Sequence, residues 1–276
     1  MSEIRVNNIT NRDGTAGPSI GGIPVVDSNS HFVVPTGRTG QRYVDGGENI
    51  VRDGLVLHLD AKYSYPGATG TNPDVFTWYD LSGNENHGEL KNGVSYSGTG
   101  GGSLVFDGVD DYITSSNPIV LGNNPRTLEV WCKGTSTDRV PLALSTSPSL
   151  TPNVVFAFSA VSSSLVNVYG GNNTYDENNI PVSINFIDGN WHQMLVTWDG
   201  NNPGTLLVYG DGSQVGSRVR GAGEAYNTKS GYMVGVWYDF NRYYNGNIAQ
   251  VSIYNKALTA SEVSQNFEAL RSRFGI

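Results

Sequence analysis

Short stretches of alternating apolar and polar residues, each closed by Gly, Pro, Asn or Asp, run through most of this chain and limit what it can become. In Leu55-Val56-Leu57-His58-Leu59-Asp60 the leucines recur at every second position, which in an extended strand places all three on one face. Met194, Val196 and Trp198 repeat the pattern over residues 191–198. Ala249, Val251 and Ile253 repeat it over residues 248–254, with Gln250 and Ser252 opposite. Residues 103–106, 127–133, 154–159, 165–169, 184–186, 205–209 and 231–237 are further strand candidates. Many short strands with turn signals between them predict an all-β fold of two antiparallel sheets packed as a sandwich. No strand–helix unit repeats, which argues against an α/β fold.

Composition agrees. Gly contributes 35 residues and Tyr 15, while charged residues make up only 15%, the balance of a chain of strands and tight turns. Asp and Glu total 25 against 17 Lys and Arg, giving a net charge of -8, so nucleic acid is not an expected partner. Neither a basic amphipathic stretch nor an apolar run of bilayer length suggests membrane insertion. The single cysteine, Cys132, excludes an internal disulfide; it shares a strand face with Leu128 and Val130 and reads as a buried structural thiol.

One helix is expected, at the end. Thr259-Ala260-Ser261-Glu262 is a capping box, and Val263, Phe267, Leu270 and Phe274 follow as one apolar stripe.

Residues 1–50 differ from the remainder of the chain. Their apolar pieces are separated by Gly and Pro at close intervals, too short to build a core. They fit a floppy tail, or an extended arm that orders on another protein by strand addition through Ile4, Val6, Ile9, Ile23, Val25, Val33 and Val34. The division expected is therefore an arm over 1–50 and a sandwich domain over 51–276.

Within the sandwich, residues 78–113 are dense in Asp, Ser, Gly and Asn around Trp78, Tyr79 and Leu81. They read as an ordered loop anchored by Trp78 and Leu81, with Asp80 and Asn84 as turn formers. Four pieces in order then carry a resemblance: Trp78-Tyr79-Asp80-Leu81-Ser82-Gly83-Asn84 with Asn86-His87-Gly88; Phe106-Asp107-Gly108-Val109-Asp110-Asp111-Tyr112-Ile113; the segment from Asn190-Trp191-His192 to Trp198; and that from Tyr244-Asn245-Gly246 to Leu258-Thr259. Together they resemble the laminin-G-like branch of the concanavalin A-like lectin/glucanase superfamily. The resemblance covers roughly residues 53–276 and implies a jelly roll whose first and last strands pair. The arm, with Arg5-Val6-Asn7-Asn8-Ile9-Thr10 and Val33-Val34-Pro35-Thr36-Gly37, looks like structural proteins of tailed phages, cyanobacterial ones especially. Residues 1–6 hold no apolar signal core, which fits a protein made in a host cytoplasm and carried on a virion surface.

Because that superfamily includes glycosidases, catalysis must be tested. A retaining glycosidase needs two carboxylates about 5–5.5 Å apart, and the glucanase branch supplies them from a Glu-x-Asp-x-Glu strand. No Glu here is followed two residues later by Asp, and Glu129 reads as a lone, solvated carboxylate. His31, His58, His87 and His192 lack metal spacing, and His58 and His192 read as surface or interfacial. No nucleophile elbow is present, nor is a phosphate cradle. No cofactor is called for. Calcium, which some relatives bind, would take Asp107, Asp110 and Asp111, a cluster that also reads as an ordinary turn.

For sugar contact the densest place is the loop Trp237-Tyr238-Asp239-Phe240-Asn241-Arg242-Tyr243-Tyr244, with Trp237, Tyr238, Asp239, Asn241 and Tyr243 as candidate ligand-binding residues. The same aromatics would serve as packing, or as an interface between copies of the chain. A milder loop spans residues 169–177. The expectation is a non-enzymatic virion protein, a head decoration or tail-fibre component. It would be fastened to other virion proteins through residues 1–50 and would display a lectin-like sandwich to host or environmental glycans. The rival is a lectin module whose main role is polysaccharide recognition, and a glycan-degrading enzyme stands behind both.

Overall fold

In β9 (Arg126–Gly134) the alternation of the sequence holds: Leu128, Val130 and Cys132 enter one apolar core and Trp131 enters another on the opposite side. A strand buried on both faces must be covered twice, and the architecture follows from that need. The computed structural model describes residues 49–64, 76–120, 122–144, 155–170, 177–224, 226–237 and 240–276, with the pairs 19–20 and 23–24. Of the arm candidates, Ile4, Val6, Ile9, Val25, Val33 and Val34 lie outside these residues. Two units are present. In Met1–Asn49, β1 (Ser19–Ile20) pairs antiparallel with β2 (Ile23–Pro24), with Ile23 opposite Ile20. The other unit is Ile50–Ile276.

That second unit is a sandwich of two antiparallel sheets. The first runs in the order β16 (Ser213–Val219), β15 (Thr205–Gly210), β14 (His192–Trp198), β9, β18 (Asn245–Tyr254), β7 (Ser103–Asp107) and β6 (Ser95–Ser97). β3 (Leu55–Asp60) also pairs with β18, so the first long strand of the unit lies against its last, as the resemblance implied. The second sheet runs β13 (Glu177–Pro181), β12 (Leu165–Tyr169), β11 (Phe156–Ser162), β10 (Arg139–Leu144), β17 (Tyr232–Val234), β8 (Tyr112–Ser115), β5 (Gly88–Lys91) and β4 (Thr77–Trp78). Between the sheets, Phe106, Phe156, Phe158, Trp78 and Trp198 are almost wholly buried. Each such side chain contributes on the order of 1.5–3 kcal/mol by leaving water.

The second cover is the helix α2 (Ala260–Phe274), which follows the one-turn α1 (Ala61–Ser64) in chain order. Thr259 and Glu262 form the predicted capping box, and Gly275 closes the helix in the left-handed region at φ 77°. The apolar stripe lies on the outer face of the first sheet. The Trp131 ring stacks on Phe274 with centroids 4.4 Å apart and on Phe267 at 5.7 Å. Arg273, near the helix end, reaches Asp60 at 2.6 Å and donates to the carbonyls of Gly101 and Gly102.

Two bulges correct the face assignments. Opposite β9 the register of β18 shifts between Ile248 and Gln250, so Ala249 is an extra residue and turns to the helix side while Val251 and Ile253 stay in the intersheet core. Opposite Ile253 and Tyr254, Val56 is the extra residue of β3. Leu55 therefore joins the helix-side cluster, away from Leu57 and Leu59. Residues 184–186 are a turn rather than a strand, because the Asn185 side chain accepts the Ile187 amide at 3.1 Å.

Three polar residues expected at the surface are buried. Glu129 lies under the helix, where Gln193 Nε2 and Asn266 Nδ2 each donate to it at 2.7 Å. His58 Nδ1 sits 3.0 Å from Ser252 Oγ on the same covered face. His192 lies between Asp211, 2.8 Å away, and Asp188, 3.2 Å away. The helix and the loops cover faces that a two-layer sandwich would have left wet.

Candidate functional site

In its first part, the stretch 78–113 is scaffold. Asp80 is fully buried, and its two oxygens accept from the amides of His58, Ser82 and Asn86 and from the Ser82 hydroxyl, at 2.8–3.0 Å. Tyr232 donates to the Asn86 carbonyl at 2.8 Å, and Trp78 anchors the loop in the core. Leu81, the second expected anchor, is half-buried. A carboxylate holding four donors has no capacity left for a ligand.

At the end of this stretch, the carboxylate oxygens of Asp107, Asp110 and Asp111 lie within 4.8 Å of one another. Such oxygens suit calcium chemically. The turn itself uses two of them: Asp107 Oδ1 accepts from the Val109 amide at 2.7 Å, and Asp111 Oδ2 from the Asp107 amide at 3.0 Å. Burial raises the Asp111 carboxyl above its ordinary value, and the charges of Asp107 and Asp110 add to the rise. The cluster is accounted for as an Asp-capped turn.

The aromatic loop is built differently. It leaves β17 at Gly235, whose φ of 79° and closeness to the Phe106 ring admit no side chain. Its ends are tied by the Tyr244 amide donating to the Gly235 carbonyl at 2.8 Å, and its tip by the Phe240 amide donating to the Trp237 carbonyl at 3.0 Å. Phe240 and Arg242 sit at φ 58° and 54°, a region that L residues with long side chains rarely occupy. The surrounding contacts hold them there.

Trp237 is 4% exposed and packs on Tyr169 with ring centroids 4.6 Å apart, on the outer face of the second sheet. The Arg242 guanidinium lies 5.0 Å from the Tyr169 ring centre and 5.6 Å from that of Trp237. Arg242 Nε is 3.4 Å from Asp138 Oδ2, and Asp138 Oδ1 accepts from the Tyr169 hydroxyl at 2.5 Å. Burial, followed by the bond to Asp138, keeps that phenol protonated far above its ordinary range. What the loop shows to solvent is Phe240, 41% exposed, whose ring meets Tyr112 edge-on at 5.3 Å. Asn241 is exposed beside it, and Arg242 and Tyr243 are half-buried. Burial, then Tyr112 and Asp110, raise the Tyr243 phenol.

Of the candidate ligand-binding residues, then, Trp237 is inside the loop and Asn241 and Tyr243 line its surface. Tyr238 and Asp239 lie outside the described residues, as do residues 171–176 of the milder loop. Sequence reasoning passed over Asp138, Arg242, Tyr112 and Phe240. Aromatic density marks the loop in the sequence, but the rest of the site comes from strands far apart in sequence.

Residues 107–264 match the family profile of the Concanavalin A-like lectin/glucanases superfamily, more than half of the chain. The chain belongs to this superfamily. Solved structures share the lectin-like fold at low identity. The binding domain of Paraclostridial Mosquitocidal Protein 1 superposes with a TM-score of 0.59 at 16% identity, covering 78% of this chain and 52% of that one. Domain 4 of AbnA, a GH43 extracellular arabinanase of Geobacillus stearothermophilus solved in complex with arabinotriose, gives 0.56 at 18%, covering 77% and 97%. The binding domain of Botulinum Neurotoxin DC in complex with SialylT gives 0.56 at 14%, covering 79% and 52%. The chain thus spans about half the length of the toxin domains it matches. No curated protein sequence matches it. Among the described residues, no helix is long and apolar enough to cross a membrane.

Proposed function

We propose that this lectin-like domain is a non-catalytic adhesion module of a tailed-phage virion. In this reading it touches glycan through the loop between β17 and β18, and residues 1–50 fasten it to the particle. The observation that carries the glycan half is the exposed Phe240, held out at a strained backbone angle over Tyr112, with Asn241, Arg242 and Tyr243 around it. An apolar ring face rimmed by amide and guanidinium groups is what a pyranose or furanose needs: stacking for its C–H face, hydrogen bonds for its hydroxyls. Trp237 and Tyr169 serve as the rigid base of that platform. The arabinotriose complex of the arabinanase domain, which shares this fold, agrees with sugar as the ligand class.

Absence of catalysis rests on where the acids are. Glu129, the strand carboxylate weighed against the glucanase pattern, is sealed beneath α2 and cannot reach a glycosidic bond. The virion half rests on the arm-like sequence of residues 1–50, with Ile4, Val6, Ile9, Ile23, Val25, Val33 and Val34 as its apolar contacts.

Full-length protein applied to a glycan array tests the first half. Binding should be lost in Phe240→Ala and Tyr243→Ala while the melting temperature holds, and an array with no signal would remove the glycan reading. Deleting residues 2–50 tests the second. The truncated protein should fold yet be missing from purified particles, and its recovery in particles would remove the anchoring role.

A further inference from the structure

The turn between β7 and β8 lies directly against the end of the aromatic loop. Asn245 stands opposite Asp107 in the sheet, and a Cβ on Gly108 would come within 2.8 Å of the Asn245 Cβ. Asp107 and Asp111 each spend a carboxylate oxygen on the amides of this turn. Asp110 does not. It enters the turn only through its backbone, its amide 3.4 Å from Asp107 Oδ1 and its carbonyl accepting from Asn92 at 2.9 Å. The residue is exposed, and among the described residues its carboxylate accepts no hydrogen bond and pairs with no cation. Two positions on is Tyr112, whose ring meets Phe240 edge-on. Beside them is Tyr243: burial first, then Tyr112 and Asp110, raise its phenol, and those two act through space from close by. Three partly exposed rings and a free carboxylate therefore share one patch of surface.

The nearby cations do not neutralise that carboxylate. Arg242 Nε is 3.4 Å from Asp138 Oδ2, and its guanidinium faces the rings of Tyr169 and Trp237. Lys91, opposite Tyr112 on β5, is paired with Glu89. We propose that this patch sets the selectivity of the glycan surface, for a sugar carrying a protonated amine of the glucosamine type, with Asp110 as the specificity-determining residue. The inference rests on the glycan reading above. Aromatic faces attract an ammonium group through their quadrupole, and a carboxylate beside them adds charge and acceptors for its N–H donors. A neutral sugar gains only the stacking. A uronic acid brings its own carboxylate toward Asp110, with Asp107 and Asp111 close by, and like charges repel.

The test uses the full chain and NMR titration, below neutral pH so that the amines are protonated. The probes are the glucosamine trisaccharide, its N-acetylated form, cellotriose and trigalacturonate. The glucosamine trisaccharide should bind about tenfold more tightly than cellotriose, which has the same linkage and a hydroxyl in place of each amine. Asp110→Asn should abolish that preference and leave cellotriose binding and the melting temperature unchanged. Glu268→Gln, which removes the same charge from α2 over the other sheet, should preserve it, separating a local contact from the overall negative charge of the chain. Equal binding of cellotriose or the N-acetylated form, best binding of trigalacturonate, or a preference that survives Asp110→Asn would each overturn the inference. If binding is nevertheless lost in Phe240→Ala, the glycan surface stands with its selectivity set elsewhere. If no trisaccharide binds and the array is also silent, the glycan reading falls and takes this inference with it.

Discussion

Asn266 Nδ2, on the C-terminal helix, lies 2.7 Å from Glu129 Oε2, in the middle of a strand of the first sheet. Glu129 is 137 positions earlier in the chain and fully buried, and its other oxygen accepts from Gln193 Nε2. Asn266 also donates to Tyr254 and accepts the Val51 amide at 2.8 Å, so one carboxylate joins the helix, two strands and the start of the domain. Replacing it by Gln turns one acceptor into a donor facing an amide that already donates. Glu129→Gln should cost about 1–3 kcal/mol in urea unfolding, and Glu129→Ala at least as much. An unchanged midpoint in both would show that the network contributes nothing net.

The same carboxyl gives a pH signature. Burial pushes Glu129 up to about 7 from an ordinary 4.5, against the pull of its bonds from Gln193 and Asn266. The folded state thus holds this proton more tightly than the unfolded chain, so the group favours folding at low pH. Its contribution is complete below about pH 4.5 and is lost as pH rises through about 7. Denaturation curves between those limits should fall more steeply for the wild type than for Glu129→Ala; parallel curves would contradict the assignment.

His192 should act at higher pH. Burial alone would lower its pKa, but the bonds and charges of Asp211 and Asp188 outweigh burial and leave it raised above 6.5. Protonated His192 therefore favours the fold; the contribution is complete below 6.5 and disappears as pH climbs through the raised value. Histidine NMR titration should show an elevated midpoint for this residue and a drop toward or below the ordinary value in Asp211→Asn.

Arg273 and Asp60 form a buried pair at 2.6 Å, with side-chain exposures of 6% and 0%. Removing one charge strands the other, so Arg273→Ala should destabilise the domain by about 3–5 kcal/mol. Arg273→Lys should recover only part, because one ammonium cannot reproduce the bonds to Asp60 and to the carbonyls of Gly101 and Gly102. Equal stability of the Lys variant and the wild type, by chemical denaturation, would refute the role given to the guanidinium fork.

Asp80 offers the matching test for the opening stretch. Asp80→Asn replaces one of two oxygens that between them accept four donors, and should cost about 1–3 kcal/mol while leaving ligand contacts at the aromatic loop untouched. Calorimetric melting together with the glycan titration separates the two effects. A loss of binding without a loss of stability would make residues 78–88 a site after all.

The sequence by itself determined the sandwich, the helix and its cap, and the anchoring of Trp78. Each of these depends on a period of two or of 3.6, or on neighbours within four residues, and such patterns are legible without knowing the fold. Tertiary structure alone decided which polar residues went inside. Glu129, His58 and His192 look solvated along the chain because the groups that cover and satisfy them arrive from distant strands and from a helix at the far end. The same holds for faces shifted by a single extra residue, as at Val56 and Ala249. It holds most of all for the candidate site. Its aromatic loop was visible as composition, but Asp138 and Tyr169 join it only because two antiparallel strand pairings bring them there. Register is a property of the folded sheet, and a local pattern cannot specify which distant residue will stand opposite.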